Sequence, residues 1–199
     1  MKPILTISIL STTGREDYLN NLLSNLNSQI AKCDYNVVVN VVIDKPQVKG
    51  GMSIGQKRNL ALQSANGLYH CFIDDDDTVW ENYIEKIVSG CLEDCDCVVL
   101  KGNYFQDNTF YKPFIHSIDC KEYKETSHCF ERYPNHLNAI RTNIAKIFFF
   151  DEISFGEDTK WATALNRSKL LQTEASIDGI IYNYYYRTIK KEFNESNII

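Results

Sequence analysis

Across residues 4–101, compact apolar runs alternate with amphipathic stretches, and this constrains the fold more than any other feature. Residues 4–10, 37–43, 69–73 and 97–101 are short runs rich in Ile, Val, Leu and Phe, and read as buried strands. Between the first two, residues 16–29 set Leu19, Leu22, Leu23 and Leu26 on one helical stripe. Residues 53–65 form a second helix closed by Asn66-Gly67, and residues 80–91 a third. Alternation of this kind is satisfied by a parallel sheet with helices on its faces. Ligands of such sheets bind beyond the carboxyl ends of the strands. Three of those ends are polar here: residues 11–15, Asp44, and the run Asp74, Asp75, Asp76, Asp77. They should share one edge and make one site.

The acidic run is the most pointed of the three. Tyr69-His70-Cys71-Phe72-Ile73 delivers four successive carboxylates to a loop. Adjacent anions repel, and they are best tolerated beside a cation or splayed into water. A core strand that ends this way suits a hard divalent metal. A solvated acidic turn, or carboxylates capping the next helix, is the plain alternative.

Beyond residue 101 the pattern changes. Residues 102–105 and 110–114 flank Gln106-Asp107-Asn108-Thr109 as a hairpin. Residues 115–135 are polar and aromatic without a clear period. Residues 137–141 read as a short strand, and Phe148-Phe149-Phe150 as a buried cluster. Gly156-Glu157-Asp158 opens a helix to about Ser168. Residues 180–186 form a last strand, followed from Lys190 by a loose polar tail.

Bulk properties narrow the functional classes. A chain of 199 residues with 44% apolar content supports one domain with a substantial core. A net charge of -5 argues against unspecific grip on nucleic acid or an anionic membrane. No apolar run approaches the roughly 20 residues that span a bilayer, and the first residues lack a signal-peptide cleavage pattern. Seven cysteines, an odd number without such a signal, point to reduced thiols and a cytoplasmic setting. Cys91, Cys95 and Cys97 lie close together, but no second paired motif supports zinc, so packing thiols are the better reading.

Three motifs, taken together, resemble a known family. Ile7-Ser8-Ile9-Leu10-Ser11-Thr12-Thr13-Gly14-Arg15 is similar to a first strand with its threonine-containing turn. Gly55-Gln56-Lys57-Arg58-Asn59, Ala65-Asn66-Gly67-Leu68-Tyr69 and Phe72-Ile73-Asp74-Asp75-Asp76-Asp77 follow in order, like Ala-Arg-Asn, Ala-x-Gly-x-Tyr and Phe-Leu-Asp-x-Asp-Asp. Gly156-Glu157-Asp158 with Trp161 is similar to a Glu-Asp acceptor-site motif. The chain thus resembles the nucleotide-sugar-dependent glycosyltransferases of the GT-A fold, family 2. Ser11, Thr13 and Gly14 depart from the family's usual Pro-Thr-Tyr-Asn-Arg, and the Gln-x-x-Arg-Trp motif of processive members is absent.

The resemblance implies an α/β, Rossmann-like single GT-A domain over residues 1–199. It implies a mostly parallel central sheet with helices on both faces and a smaller antiparallel acceptor-side part. Residues 1–101 would bind the nucleotide sugar, residues 102–189 the acceptor, and residues 190–199 form the tail. The implied reaction moves one sugar, with inversion, from a nucleotide-diphosphate sugar, UDP-linked by preference, to the hydroxyl of a glycan or other acceptor, assisted by Mn²⁺ or Mg²⁺. The resemblance puts Asp76 on the metal and Asp74 at the ribose or near the metal. Asp75 joins them on the donor side, and Asp44 accepts from the nucleobase. Thr12 and Arg58 also face the nucleotide, Glu157 binds the acceptor, and Asp158 takes the proton from the acceptor hydroxyl. Plain alternatives stand beside each: a turn-forming Asp44, surface cations at Lys57 and Arg58, and helix-start acids at Glu157 and Asp158. His116, His128 and His136 are candidates for a further metal ligand or for the acceptor pocket, against ordinary hydrogen-bonded histidines. Arg187 is placed to reach the diphosphate or is a surface charge. Aromatic residues at 110–111 and 130–133 suit a sugar face or a core. Two other classes compete: a binding module of the same fold without turnover, and a nucleotidyltransferase. The latter expects a richer Gly and basic loop than residues 11–15 supply.

Overall fold

A computed structural model describes residues 2–188 of the chain; the tail expected from Lys190 lies outside them. Strand β1 (Leu5–Thr12) is buried nearly throughout. β2 (Val37–Asp44) and β3 (Tyr69–Asp74) flank it in parallel, with Thr12 opposite Asp44 and Leu10 opposite Asp74. The three polar strand ends therefore lie side by side. Helix α1 (Glu16–Ile30) joins β1 to β2. A 3-10 turn (Gln47–Lys49) and helix α2 (Ile54–Ser64) lead to β3. Ser53 starts α2 through a capping box with Gln56, which satisfies donors that a helix start otherwise leaves free. Gly67 serves by size: a Cβ there would sit 2.7 Å from the Thr6 backbone nitrogen, so only glycine lets the strands close up.

After β3 the chain makes β4 (Thr78–Val79), α3 (Tyr83–Leu92), β5 (Cys97–Val98), β6 (Leu100–Gln106) and β7 (Thr109–His116). Then come β8 (Lys124–Glu125), β9 (Phe130–Arg132), β10 (Ile140–Arg141), α4 (Thr142–Ala145), α5 (Glu157–Ser168), β11 (Glu174–Ala175) and β12 (Tyr182–Tyr186). They make two sheets, ordered β11-β5-β10-β3-β1-β2 and β4-β12-β6-β7-β9-β8. In the first, only β10 runs against its neighbours. The second carries the expected hairpin, β6 with β7, and adds parallel pairings of β12 with β6 and β7 with β9. The hairpin turns on Asp107 and Asn108, both left-handed at φ 50° and 64°, which matches the twist of the flanking strands.

Helices cover both faces of the first sheet. Leu19, Leu22 and Leu26 of α1 and Ile84, Ile87 and Val88 of α3 pack with Leu5, Ile7, Ile9, Cys71 and Ile73. Across the sheet, Ala61 and Leu62 of α2 and Trp161 and Leu165 of α5 pack with Leu10, Phe72 and Phe150. Each large side chain so buried contributes about 1.5–3 kcal/mol. Cys91 and Cys95 belong to the first core, where the Cys95 thiol donates to the Cys97 carbonyl at 3.0 Å.

Three expectations differ: of Phe148-Phe149-Phe150, expected to be buried together, Phe150 is buried but Phe149 is 66% exposed. The third helix begins at Tyr83, not Trp80, because Thr78 and Val79 pair with β12 and the Trp80 N–H donates to Ile181. Gln29 of α1 holds the new start, accepting from the Ile84 N–H and donating to the Trp80 carbonyl. The fourth strand, expected over 97–101, divides at Val99: Cys97 and Val98 stay in the first sheet and Leu100 begins the second. All four of Cys97, Val98, Val99 and Leu100 are buried, so no alternation of polarity betrays the change of sheet.

Candidate active site

The acidic loop is wired differently at each carboxylate. Asp74, at the end of β3, accepts from Arg58 Nη2 at 3.0 Å and keeps 28% side-chain exposure. Burial alone would raise its pKa; the Arg58 guanidinium and nearby His136 outweigh that and hold it well below the usual carboxylate range. Asp75 is buried, accepting from the Ser11 hydroxyl at 2.6 Å and lying 2.8 Å from Arg15 Nη2. Burial raises its pKa, with Ser11 and Arg15 opposing. Asp76 meets two guanidinium groups through Oδ2, Arg15 at 2.8 Å and Arg187 at 2.7 Å. Both arginines stack over the Tyr18 ring, with centroid distances of 5.6 and 5.0 Å. Asp77 turns toward the second sheet, accepting from the Tyr182 hydroxyl at 2.7 Å and the Tyr185 N–H at 2.9 Å. Burial, with Asp74 and Asp76 nearby, pushes its pKa well up.

Arg58 links the loop to the second motif. It leaves the buried face of α2 because α2 packs its Ala61–Leu62 side onto the core. Its guanidinium lies over Phe72 at 5.0 Å and reaches Asp74 with Nη2 and Glu157 with Nε, the latter at 3.1 Å. Nη1 is buried with no hydrogen-bond partner among the described residues. Glu157 is likewise buried, whereas Asp158, one residue on, has 36% of its side chain exposed. Gly156, at φ 79°, makes the turn that starts α5, and Asp158 accepts from the Thr159 N–H at 2.7 Å. Acids in this first turn also answer the helix's free N–H groups.

At the end of β2, Asp44 accepts from the Lys45 and Met52 N–H groups at 2.8 and 2.6 Å, closing the loop over residues 45–52. Those bonds lower its pKa. Thr12 lies beside it in register, and the Thr13 N–H donates to the Asp44 carbonyl. Of the three histidines, only His136 points at this site: Nε2 is 3.8 Å from Asp74 and Nδ1 is 3.9 Å from Asp158. His116 is buried against Phe114, which lowers its pKa, and His128 is exposed.

Sequence reasoning missed Ser11 and Arg15 as partners of the loop. Ser11 lies at the end of β1 and Arg15 in the turn after it, and the polar stretch 11–15 was the available signal. It also ranked Lys57 below Arg58, yet Lys57 is buried. Desolvation lowers its pKa against the pull of Asp44 and Asp75.

With this geometry in view, the family assignment is direct. The profile of the family described as Glycosyl transferase family 2 matches residues 41–157, more than half the chain, and the chain belongs to that family. Its GT-A fold is shared with solved structures. The crystal structure of S. aureus TarS aligns with TM-score 0.63 at 18% identity, covering 94% of this chain and 37% of that one. TarS 1-349 in complex with UDP aligns with TM-score 0.63 at 19% identity, over 94% of this chain and 61% of that one. The same fragment with UDP-GlcNAc aligns with TM-score 0.61 at 17% identity, over 94% and 59%. The chain thus spans between about a third and three-fifths of those proteins, and the likeness is one of fold. No curated protein sequence matches it.

Proposed function

We propose that this chain is an inverting glycosyltransferase that moves one sugar from a UDP-sugar to an acceptor hydroxyl. The observation that carries the reading is Arg58: by bonding Asp74 and Glu157 together it joins the donor loop and the Glu-Asp pair into one site. Asp44 and Thr12 would meet the nucleobase and Asp74 the ribose, with Asp75 behind them. Ser11 and Arg15 hold Asp75 in place, and Glu157, fixed by Arg58, would orient the acceptor. Asp158, with its accessible carboxylate, would take the hydroxyl proton as that oxygen attacks the anomeric carbon.

The acidic loop suits Mn²⁺ or Mg²⁺ in its donor chemistry, since it presents hard carboxylate oxygens. Among the described residues no three His, Cys, Asp or Glu side chains are grouped to hold an ion, so donor phosphates would complete the shell around Asp76. A bound ion there would neutralise charge on the departing diphosphate. Arg15 and Arg187, now on Asp76, would turn to the phosphates themselves. A cytoplasmic setting accords with seven free thiols. No helix among the described residues is long and apolar enough to cross a membrane.

Titration calorimetry with UDP tests the donor half: binding should strengthen with Mn²⁺, and Asp76→Ala should remove that gain. Unchanged binding with and without the metal would sink metal assistance. If Asp158→Asn leaves every property intact, the chain is a binding module rather than a transferase.

A further inference from the structure

His136 is buried, yet neither ring nitrogen has a hydrogen-bond partner among the described residues. A buried polar atom left this way costs about 1–3 kcal/mol, so an unbonded ring calls for an explanation. Both nitrogens face carboxylates of the site. Nε2 looks at Asp74 and Nδ1 at Asp158, each about an ångström beyond hydrogen-bond length. The ring spans the gap between the carboxyl end of β3 and the first turn of α5.

The support around it is rigid. The His136 carbonyl accepts from the Phe72 N–H at 2.8 Å, two residues before Asp74. Asn135 and Asn138 close a turn about it. The Asn135 N–H donates to Asn138 Oδ1, the Leu137 N–H to Asn135 Oδ1, and Asn138 Nδ2 to the Val98 carbonyl. Both asparagines are themselves buried. The ring packs edge-on against Phe72, with 6.1 Å between centroids, while its two nitrogens stay without hydrogen-bond partners among the described residues. Bonds at catalytic centres are often long without substrate and tighten when it binds.

We propose that His136 is a positioning residue: with donor bound, it hydrogen-bonds Asp74 and Asp158 together and so sets the base at a fixed distance from the donor. Carboxylates only accept, so a ring bonded to both donates from both nitrogens. The role rests on the reading of Asp158 as base, but the bonds themselves do not require turnover to be seen.

The chain has four histidines, so ¹⁵N-histidine NMR of the full chain with UDP and diamagnetic Mg²⁺ resolves this ring, with His136→Gln as the assignment control. Asp158→Asn should shift the Nδ1 signal and Asp74→Asn the Nε2 signal, leaving His128 unmoved. Signals of His136 that ignore both substitutions overturn the proposal, whether or not the chain proves to be a transferase. Turnover supplies the second arm. His136→Phe, similar in bulk, should lower kcat by about 10²-fold, the order expected when a reacting group slips by about 1 Å. UDP affinity should stay within about twofold, since the Asp44 side is untouched. His136→Gln, which keeps a donor, should recover part of the loss. In the Asp158→Asn background His136→Phe should cost nothing further. Full additivity, or equal loss in both His136 variants, would reduce the residue to packing.

Discussion

The two sheets hold the acidic loop and its neighbours in place by different means. The first uses register. β1, β2 and β3 run in parallel, so Thr12, Asp44 and Asp74 arrive together because the strands end together. The second uses individual contacts. β12 is tied to the acidic loop by Tyr182 and Tyr185 on Asp77, and Arg187 follows it onto Asp76. Register is a property of whole strands and tolerates single substitutions. A contact is a property of two side chains and does not. Damage to the site should therefore be more local on the second side, and more deeply rooted in stability on the first.

The largest effect should be catalytic and should separate the two sides cleanly. Asp158→Asn should reduce transfer by about 10²- to 10⁴-fold, the range of general-base contributions, while UDP affinity measured by calorimetry stays near wild type. A parallel loss of UDP binding would mean that the two halves are not separable. Arg58→Met comes next, because it strands the buried Glu157 carboxylate. Urea unfolding should reveal a loss of roughly 3–5 kcal/mol, the cost of breaking a buried pair from one side.

His70 tests the first sheet by pH. It is buried beside Ser8, 2.8 Å away, and burial, with Lys146, Arg58 and His136 adding repulsion, lowers its pKa to about 3. In the unfolded chain it titrates near the ordinary 6.5. Above that value both states are neutral and the contribution to stability is complete. Below it the unfolded chain takes up a proton that the fold refuses, so stability falls by about 1.4 kcal/mol per pH unit until the folded ring protonates near pH 3. His70→Asn should flatten that limb in denaturant titrations at pH 7, 6 and 5; an unchanged slope would contradict it. The smallest effect should come from Tyr182→Phe. Removing one donor from Asp77 should cost about 1–3 kcal/mol, with loosening confined in hydrogen exchange to the loop and β12.

The same contrast explains what could be read in advance. The three parallel strands, α1, α2 and the helix after Gly156 are legible because each is a compact apolar run, an apolar stripe like Leu19-Leu22-Leu26, or a segment bounded by a stop or start such as Asn66-Gly67 and Gly156. Topology alone placed their polar ends on one edge, and Thr12, Asp44 and Asp74 do arrive there together. β4, β8 and β10 span only two residues each, too few for any alternation, so the second half resisted reading. In the site, Arg58 was placed by a motif, but its tie to Glu157 is a contact across the chain that no local pattern encodes. His136 sits in a stretch held by asparagine turns rather than by a helix or strand. Its aim at both carboxylates emerges only when β3 and α5 are brought together.

The break at Val99 has a practical side for anyone recombining relatives of this chain. Cys97-Val98 and Leu100 are one continuous stretch serving two sheets. A chimera spliced there would sever both at once, and the grafted half would have to rebuild two sets of edges from a single junction. A crossover inside the Asp107–Asn108 turn cuts neither strand of the hairpin, but β7, β10 and β11, which pair with the shared stretch, then come from the other parent. The turn is the gentler seam only when the edges of those three strands match the stretch they must receive.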